Sequence, residues 1–180
     1  MKTYTTNHMR KMLQLASVEY LNRISQHFTH ALTLQTCLKT TNVKETQMKY
    51  LISRANKSIH YLRTRLNRTL YGNGSRRNPD LIPIFIPMLE GTLDNYNHNL
   101  SLHYHVIMGN LPIGCSTEIL TDAVTQIWIS SDAGTKDIKI QETYDTASNR
   151  LIKYDTKEFN AYNIDIIDYT NAQIPQYLLT

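Results

Sequence analysis

Strand-like and helix-like segments follow one another in this chain in an order that few folds accommodate. Residues His30 to Leu38 alternate between two sets of side chains, which indicates a strand. Asn42 and Glu45 match a capping box and predict that a long helix opens there and runs to about Tyr71. The segment Gly72 to Ser75 is a strong turn signal that ends this helix.

Two further strands, a helix and a fourth strand follow the turn. The segment Leu81 to Leu89 is rich in β-branched residues, but its two prolines each remove a backbone donor, so we expect an edge strand. A polar connection, Gly91 to Asn99, leads to a strand from Leu100 to Met108. Ser116 is predicted to cap a helix, and Asp137 to Tyr144 alternates as a strand. The helix after Ser116 presents one apolar face: Ile119, Leu120, Ala123, Val124, Ile127 and Trp128.

Helices are also predicted on both sides of this core. One covers Asn7 to Phe28, and another starts at Asp145 or Thr146 and ends at Phe159. The β-α-β-β-α-β order predicts an α+β fold with a ferredoxin-like antiparallel sheet, helices on one face and the other face open to ligands. We expect a single domain over residues 1–180, with a core at about 29–159, the N-terminal helix at 1–28 and a tail at 160–180.

Positive charge is concentrated in one stretch of the chain. From Lys39 to Arg77 there are ten lysines or arginines and one acid, Glu45, although the net charge of the whole chain is only +4. Such a block suits a polyanionic partner. The alternative is that most of these charges only solvate the long helix.

The chain has no feature of an exported or membrane protein. The opening stretch lacks a signal-peptide pattern, and no segment has the roughly 18 apolar residues that a membrane span requires. Cys37 and Cys115 are isolated rather than paired in a C-x-x-C motif, so we interpret them as buried thiols of a cytoplasmic protein.

Two histidines in the third predicted strand are candidate metal ligands. His103 and His105 are two residues apart, so both imidazoles should emerge from the same face of the sheet. Glu90 follows the preceding strand, and pairing across the hairpin would bring its carboxylate near both rings. His98 is the competing third ligand. Such a nitrogen and oxygen set suits Mn²⁺ or Mg²⁺ and also accepts Zn²⁺ or Co²⁺, whereas a chance H-x-H pair is the plain alternative.

A tyrosine in the predicted last helix is a candidate nucleophile. Tyr154 and Lys157 lie three residues apart, which puts both side chains on one side of a helix. A phenol has an ordinary pKa of about 10, so a nucleophilic phenolate at neutral pH requires a nearby cation or metal. Lys157 can supply that charge or position a phosphate. The plain alternative is a half-buried amphipathic pair.

Three segments, taken in order, resemble the motifs of the HUH endonucleases, and most closely the small replication initiators of plasmids and filamentous phages. These segments are Leu32 to Thr36, Leu102 to Val106 and Tyr154 to Lys157. The resemblance covers the chain from about His30 to Lys157. It departs from the family pattern at Gln35, where similar proteins often have a threonine.

This resemblance implies a site-specific endonuclease that initiates rolling-circle replication on single-stranded DNA or an origin hairpin. His103 and His105 would hold the metal, Glu90 would complete the site, and Tyr154 would be the single nucleophile assisted by Lys157. In that family the attack leaves a 5′-phosphotyrosine and a free 3′-hydroxyl.

The DNA would be held by a basic surface, for which Arg76, Arg77 and parts of the preceding helix are the candidates. Tyr104 could stack on a base, but its place in the strand favours a core position. The sequence has no G-x-x-x-x-G-K loop, so we expect a separate helicase as a partner. Three alternatives stay open: a transposase or relaxase of the same fold, a non-catalytic single-strand-binding module, and a structural protein with coincidental motifs.

Overall fold

The structure, a computed structural model, describes residues 12, 15–92, 101–143 and 167–179. The order of elements in these ranges is the predicted one. They are α1 (15–24), β1 (Phe28–Lys39), α2 (Glu45–Tyr71), β2 (Ile84–Glu90), β3 (Ser101–Gly109), α3 (Thr117–Ile129) and β4 (Gly134–Glu142). The helix predicted from Asp145 to Phe159 lies outside the described residues.

The four strands form one antiparallel sheet in the order β2-β3-β1-β4. β2 lies at an edge of this sheet, as its prolines predicted. Residues of the tail meet that edge: the Gln173 N–H donates to the Phe85 carbonyl oxygen at 2.9 Å, and the Asp168 N–H donates to the Pro87 carbonyl oxygen at 2.9 Å. The tail thus shields the backbone groups that an edge strand would otherwise expose.

The main core lies between one face of the sheet and the helices α2 and α3. Tyr104 and Trp128 are its largest fully buried side chains, and they meet edge to face with ring centroids 6.4 Å apart. The Tyr104 hydroxyl donates to Asn56 Oδ1 at 2.8 Å, and Trp128 Nε1 donates to the Gln35 carbonyl oxygen at 3.0 Å. The core position predicted for Tyr104 is confirmed. The helices contribute Ala55, Ile59, Leu62 and Leu66 from α2 and Leu120, Val124 and Trp128 from α3.

A second apolar cluster covers part of the opposite sheet face. Leu21 and Ile24 of α1 pack there with Ile86, Met88 and other side chains of β2 and β3, and residues from the tail join them. The expectation that this whole face is open to ligands is therefore wrong for its β2 half. The reason is that three outward-facing residues of β2, Ile84, Ile86 and Met88, are apolar and require a cover.

Two predicted helix boundaries are wrong. Asn42 adopts a positive φ of 58° and belongs to a turn, so it cannot cap α2. The helix begins at Glu45, where Gln47 Oε1 accepts a hydrogen bond from the Lys44 N–H at 3.2 Å. The first helix does not reach Phe28, because a short 3-10 turn intervenes and Phe28 already belongs to β1.

The predicted capping of α3 is confirmed, because the Ser116 side chain accepts a hydrogen bond from the Ile119 N–H at 3.3 Å. The Ile119 side chain is exposed, contrary to its predicted place on the apolar face. Cys37 is exposed and Cys115 is half-buried, so the prediction of two buried thiols is wrong. No helix in the described ranges combines the length and the apolar character needed to cross a bilayer.

Candidate metal centre

The strand geometry brings three candidate ligands together on the sheet face that points away from α2 and α3. Side chains alternate along β3, so the burial of Tyr104 in the main core places His103 and His105 on the other face. In the register of β2 with β3, Glu90 pairs directly with His103 and Met88 pairs with His105. The predicted pairing across the hairpin is thus confirmed.

The three side chains converge closely enough to share one ion. Glu90 Oε2 lies 3.4 Å from His103 Nε2 and 3.5 Å from His105 Nε2. One donor atom from each residue can be chosen so that all three lie within 4.8 Å of one another. Ligands about 2.1 Å from an ion lie roughly 3.0 to 3.4 Å apart in octahedral or tetrahedral geometry. Glu90, His103 and His105 therefore form a group that could hold a divalent metal.

The imidazole rings are oriented by hydrogen bonds on their far sides. His103 Nδ1 lies 3.2 Å from the Ser101 carbonyl oxygen, and His105 Nδ1 lies 3.4 Å from the Thr33 hydroxyl oxygen. A carbonyl can only accept, so Nδ1 of a neutral His103 carries the proton and Nε2 keeps a lone pair. Such outer partners usually fix the tautomer and direction of metal-binding histidines.

The surroundings of the group also favour a bound cation. Glu90 is 2% exposed, and the two histidine side chains are largely covered. Burying a carboxylate is costly, and a metal ion offsets that cost. Two imidazole nitrogens and one carboxylate oxygen leave coordination positions open, and this donor set suits Mn²⁺ or Mg²⁺ and accepts Zn²⁺ or Co²⁺.

The structure does not bring the predicted DNA-binding arginines to this group. Arg76 ends a 3-10 turn and Arg77 follows it, in a loop that Asn110 holds through a hydrogen bond to the Ile82 carbonyl oxygen at 2.7 Å. Asn110 follows the last residue of β3, and that end of the strand is roughly 20 Å from His103 at about 3.4 Å per residue. Their contact with DNA stays a prediction.

Three other predicted site residues lie outside the described residues: Tyr154, Lys157 and the competing ligand His98.

Sequence reasoning missed Lys139, which lies on the same sheet face as the metal group. Lys139 pairs with Thr33, and Thr33 pairs with His105 across β1. The signal was present, because Ile138 and Ile140 point to the core and leave Lys139 on the opposite face.

No known protein-family model, curated protein or solved structure matches this chain. Any assignment of function therefore depends on the chemistry of the site and on the motifs in the sequence.

Proposed function

We propose that this chain is a metal-dependent endonuclease that nicks single-stranded DNA through Tyr154 and initiates rolling-circle replication. The observation that carries this proposal is the convergence of Glu90, His103 and His105 on one sheet face. These are the positions at which the HUH resemblance expects the metal ligands. The strand order β2-β3-β1-β4 with two helices on one face supports the same proposal, because it fits the ferredoxin-like arrangement.

The chemistry divides between the ion and the side chains. A divalent ion held by Glu90, His103 and His105 would act as a Lewis acid on the scissile phosphodiester. Tyr154 provides the nucleophilic oxygen, which bonds to phosphorus while the bond to the 3′ oxygen breaks. The phenol proton is released and the leaving oxygen is protonated to a 3′-hydroxyl. Lys157 favours the phenolate by its positive charge.

The sheet face around the ligands supplies contacts for the strand. Lys139 and Gln35 lie on the same face, on β4 and β1, and Lys139 is exposed. A cation and an amide at these positions are suited to the phosphates of a strand lying across β1 and β4. Because the sequence has no nucleotide-binding loop, duplex unwinding is assigned to a separate helicase.

A denaturing gel tests this proposal directly. The wild type, Tyr154→Phe and the double variant His103→Ala with His105→Ala are incubated with Mn²⁺ and a pool of single-stranded oligonucleotides that includes hairpins. We expect a covalent protein–DNA adduct with the wild type and none with either variant. Tyr162→Phe is the matched control and should form the adduct.

Each other outcome has a defined meaning. An adduct that persists in Tyr154→Phe would show that another tyrosine is the nucleophile. An adduct that persists in the double histidine variant would contradict the metal assignment. Tight binding without any adduct would favour a non-catalytic module.

A further inference from the structure

The exposed side of α2 carries tyrosines and cations in one row, here called the α2 stripe: Tyr50, Lys57, Tyr61, Arg65 and Arg68. All five side chains are exposed, and their steps of seven, four, four and three residues keep them on one side of a helix. The row extends about 27 Å at 1.5 Å per residue. This length accommodates several nucleotides of an extended strand.

The α2 stripe has few acidic neighbours among the described residues, and one of them is Asp132, whose pKa is lowered by its hydrogen bond to Arg54 and by nearby Lys57. From residue 46 to residue 79 the sequence contains no aspartate or glutamate. The ion pairs of α2 among the described residues are Lys49 with Glu45 and Arg54 with Asp132, and neither involves Lys57, Arg65 or Arg68. The positive electrostatic potential of this side of α2 attracts a polyanion.

Two exposed aromatic rings distinguish this face from an ordinary solvated helix face. Tyr50 is 64% exposed and Tyr61 is 38% exposed. Each ring has a guanidinium beside it, because Arg54 lies 6.0 Å from the Tyr50 ring centre and Arg65 lies 6.0 Å from the Tyr61 ring centre. The exposed cations are explained by the need to keep a helix surface soluble, but the two exposed tyrosine rings are not. Rings alternating with cations are the combination that holds stacked bases and phosphates of single strands.

We propose that the α2 stripe is a second DNA-binding surface, which holds single-stranded DNA with bases on Tyr50 and Tyr61 and phosphates on Lys57, Arg65 and Arg68. Duplex DNA is a poorer fit, since its paired bases are not available to stack on exposed rings. The choice of DNA over RNA rests on the proposed nuclease function. The binding itself requires neither a metal nor Tyr154.

This surface is separate from the metal centre. The buried side of α2 packs on the core face of the sheet, whereas His103 and His105 emerge from the opposite face. Taking helix radius and layer thickness together, the two surfaces are on the order of 20 Å apart. A strand on the α2 stripe therefore occupies a different place from the strand being cut, and it can keep the protein attached to DNA after the nick.

Fluorescence anisotropy tests the proposal. A labelled oligothymidylate of about twelve nucleotides is titrated with the full chain in EDTA. The double variant Tyr50→Leu with Tyr61→Leu should bind at least about tenfold more weakly, because two stacking contacts are lost. Arg65→Gln with Arg68→Gln should lower the slope of log K against log salt by about 1.4, or about 0.7 per phosphate.

Matched controls come from elsewhere on the surface. Tyr169→Leu removes another exposed tyrosine, and Arg23→Gln with Lys136→Gln removes two other exposed charges. These variants should bind like the wild type. Circular dichroism melting of every variant identifies any that is unfolded, and leucine and glutamine are good helix formers.

Three results would overturn the proposal: unchanged affinity in the double tyrosine variant, an equal loss in Tyr169→Leu, or equal affinity for a duplex of the same length. Preference for the matching RNA would overturn the choice of DNA. Tyr154→Phe should bind like the wild type in EDTA. DNA binding without any covalent adduct would therefore contradict the proposed nuclease function and leave the proposed binding by the α2 stripe in place.

Discussion

Replacing Glu90 by glutamine tests the metal centre through protein stability, without any need to know the DNA substrate. Glu90 supplies the carboxylate of the group and lies within 3.5 Å of both imidazole Nε2 atoms. An ion that binds the folded chain and not the unfolded chain raises the free energy of unfolding. Glutamine has nearly the same shape but carries no charge, so the variant isolates the carboxylate's contribution to metal affinity.

The expected magnitude follows from linkage. At a Mn²⁺ concentration one hundred times the Kd, the ion adds about 2.7 kcal/mol to the free energy of unfolding. For a chain of this length, each kcal/mol raises Tm by roughly 2 to 4 °C, so the wild type should gain about 5 to 11 °C. Removing a residue that hydrogen-bonds to a metal ligand weakens metal binding about ten- to hundredfold. Removing the ligand itself should lower the metal affinity at least about a hundredfold. The same Mn²⁺ concentration would then add only about 0.4 kcal/mol to Glu90→Gln, or roughly 1 °C.

The assay is thermal unfolding followed by circular dichroism, with and without Mn²⁺. The comparison is the Mn²⁺-dependent rise within each protein, so any change in metal-free stability cancels. Glu118→Gln, an exposed acid in the first turn of α3, is the matched control and should keep the full rise. A full rise in Glu90→Gln would refute Glu90 as a ligand, and no rise in the wild type with Mn²⁺, Mg²⁺ or Zn²⁺ would refute the metal centre.

Two other substitutions give distinct results. Thr33→Val removes the hydroxyl beside His105 Nδ1 and should weaken Mn²⁺ binding about tenfold in calorimetry, and wild-type affinity would exclude a positioning role for Thr33. Burial lowers the pKa of His30, although Glu142 raises it in part, so the neutral ring stabilises the fold above pH 6.5 and this contribution is lost as the pH falls through the lowered pKa. His30→Asn should therefore show a flatter fall of Tm between about pH 7.5 and pH 5, and an unchanged slope would show that other groups cause it.

The elements that periodicity predicted are those with one buried face. In β4, Ile138 and Ile140 alternate with exposed residues, and in α3 the buried side chains Leu120, Val124 and Trp128 recur every fourth residue. Burial of one face makes apolar residues recur at a regular spacing in the sequence, so these elements could be predicted. The pairing of the tail with β2 could not be predicted in this way, because it depends largely on backbone hydrogen bonds, which leave no pattern of side chains in the sequence.

The metal group was predictable because all of its members lie on neighbouring strands. An H-x-H pair in a strand defines one face, and the hairpin register then brings Glu90 opposite His103. The outer partners were not predictable in the same way. Ser101 acts through its carbonyl oxygen, which every residue has, and Thr33 comes from β1, whose place beside β3 depends on the whole topology.

The two faces of the sheet explain how one small chain can combine a candidate metal centre with a basic helix. The second apolar cluster ends at Met88 and Ile107, and the next outward-facing positions on the same strands are Glu90 and His105. The metal group thus lies at the rim of that cluster, where burial strengthens the attraction between carboxylate and cation. The cations of α2 are on the far side of the sheet and cannot neutralise phosphates at the metal. Among the described residues, a strand at the metal group would meet Gln35 of β1 and Lys139 of β4, and the α2 stripe is suited to provide a second, separate surface for DNA.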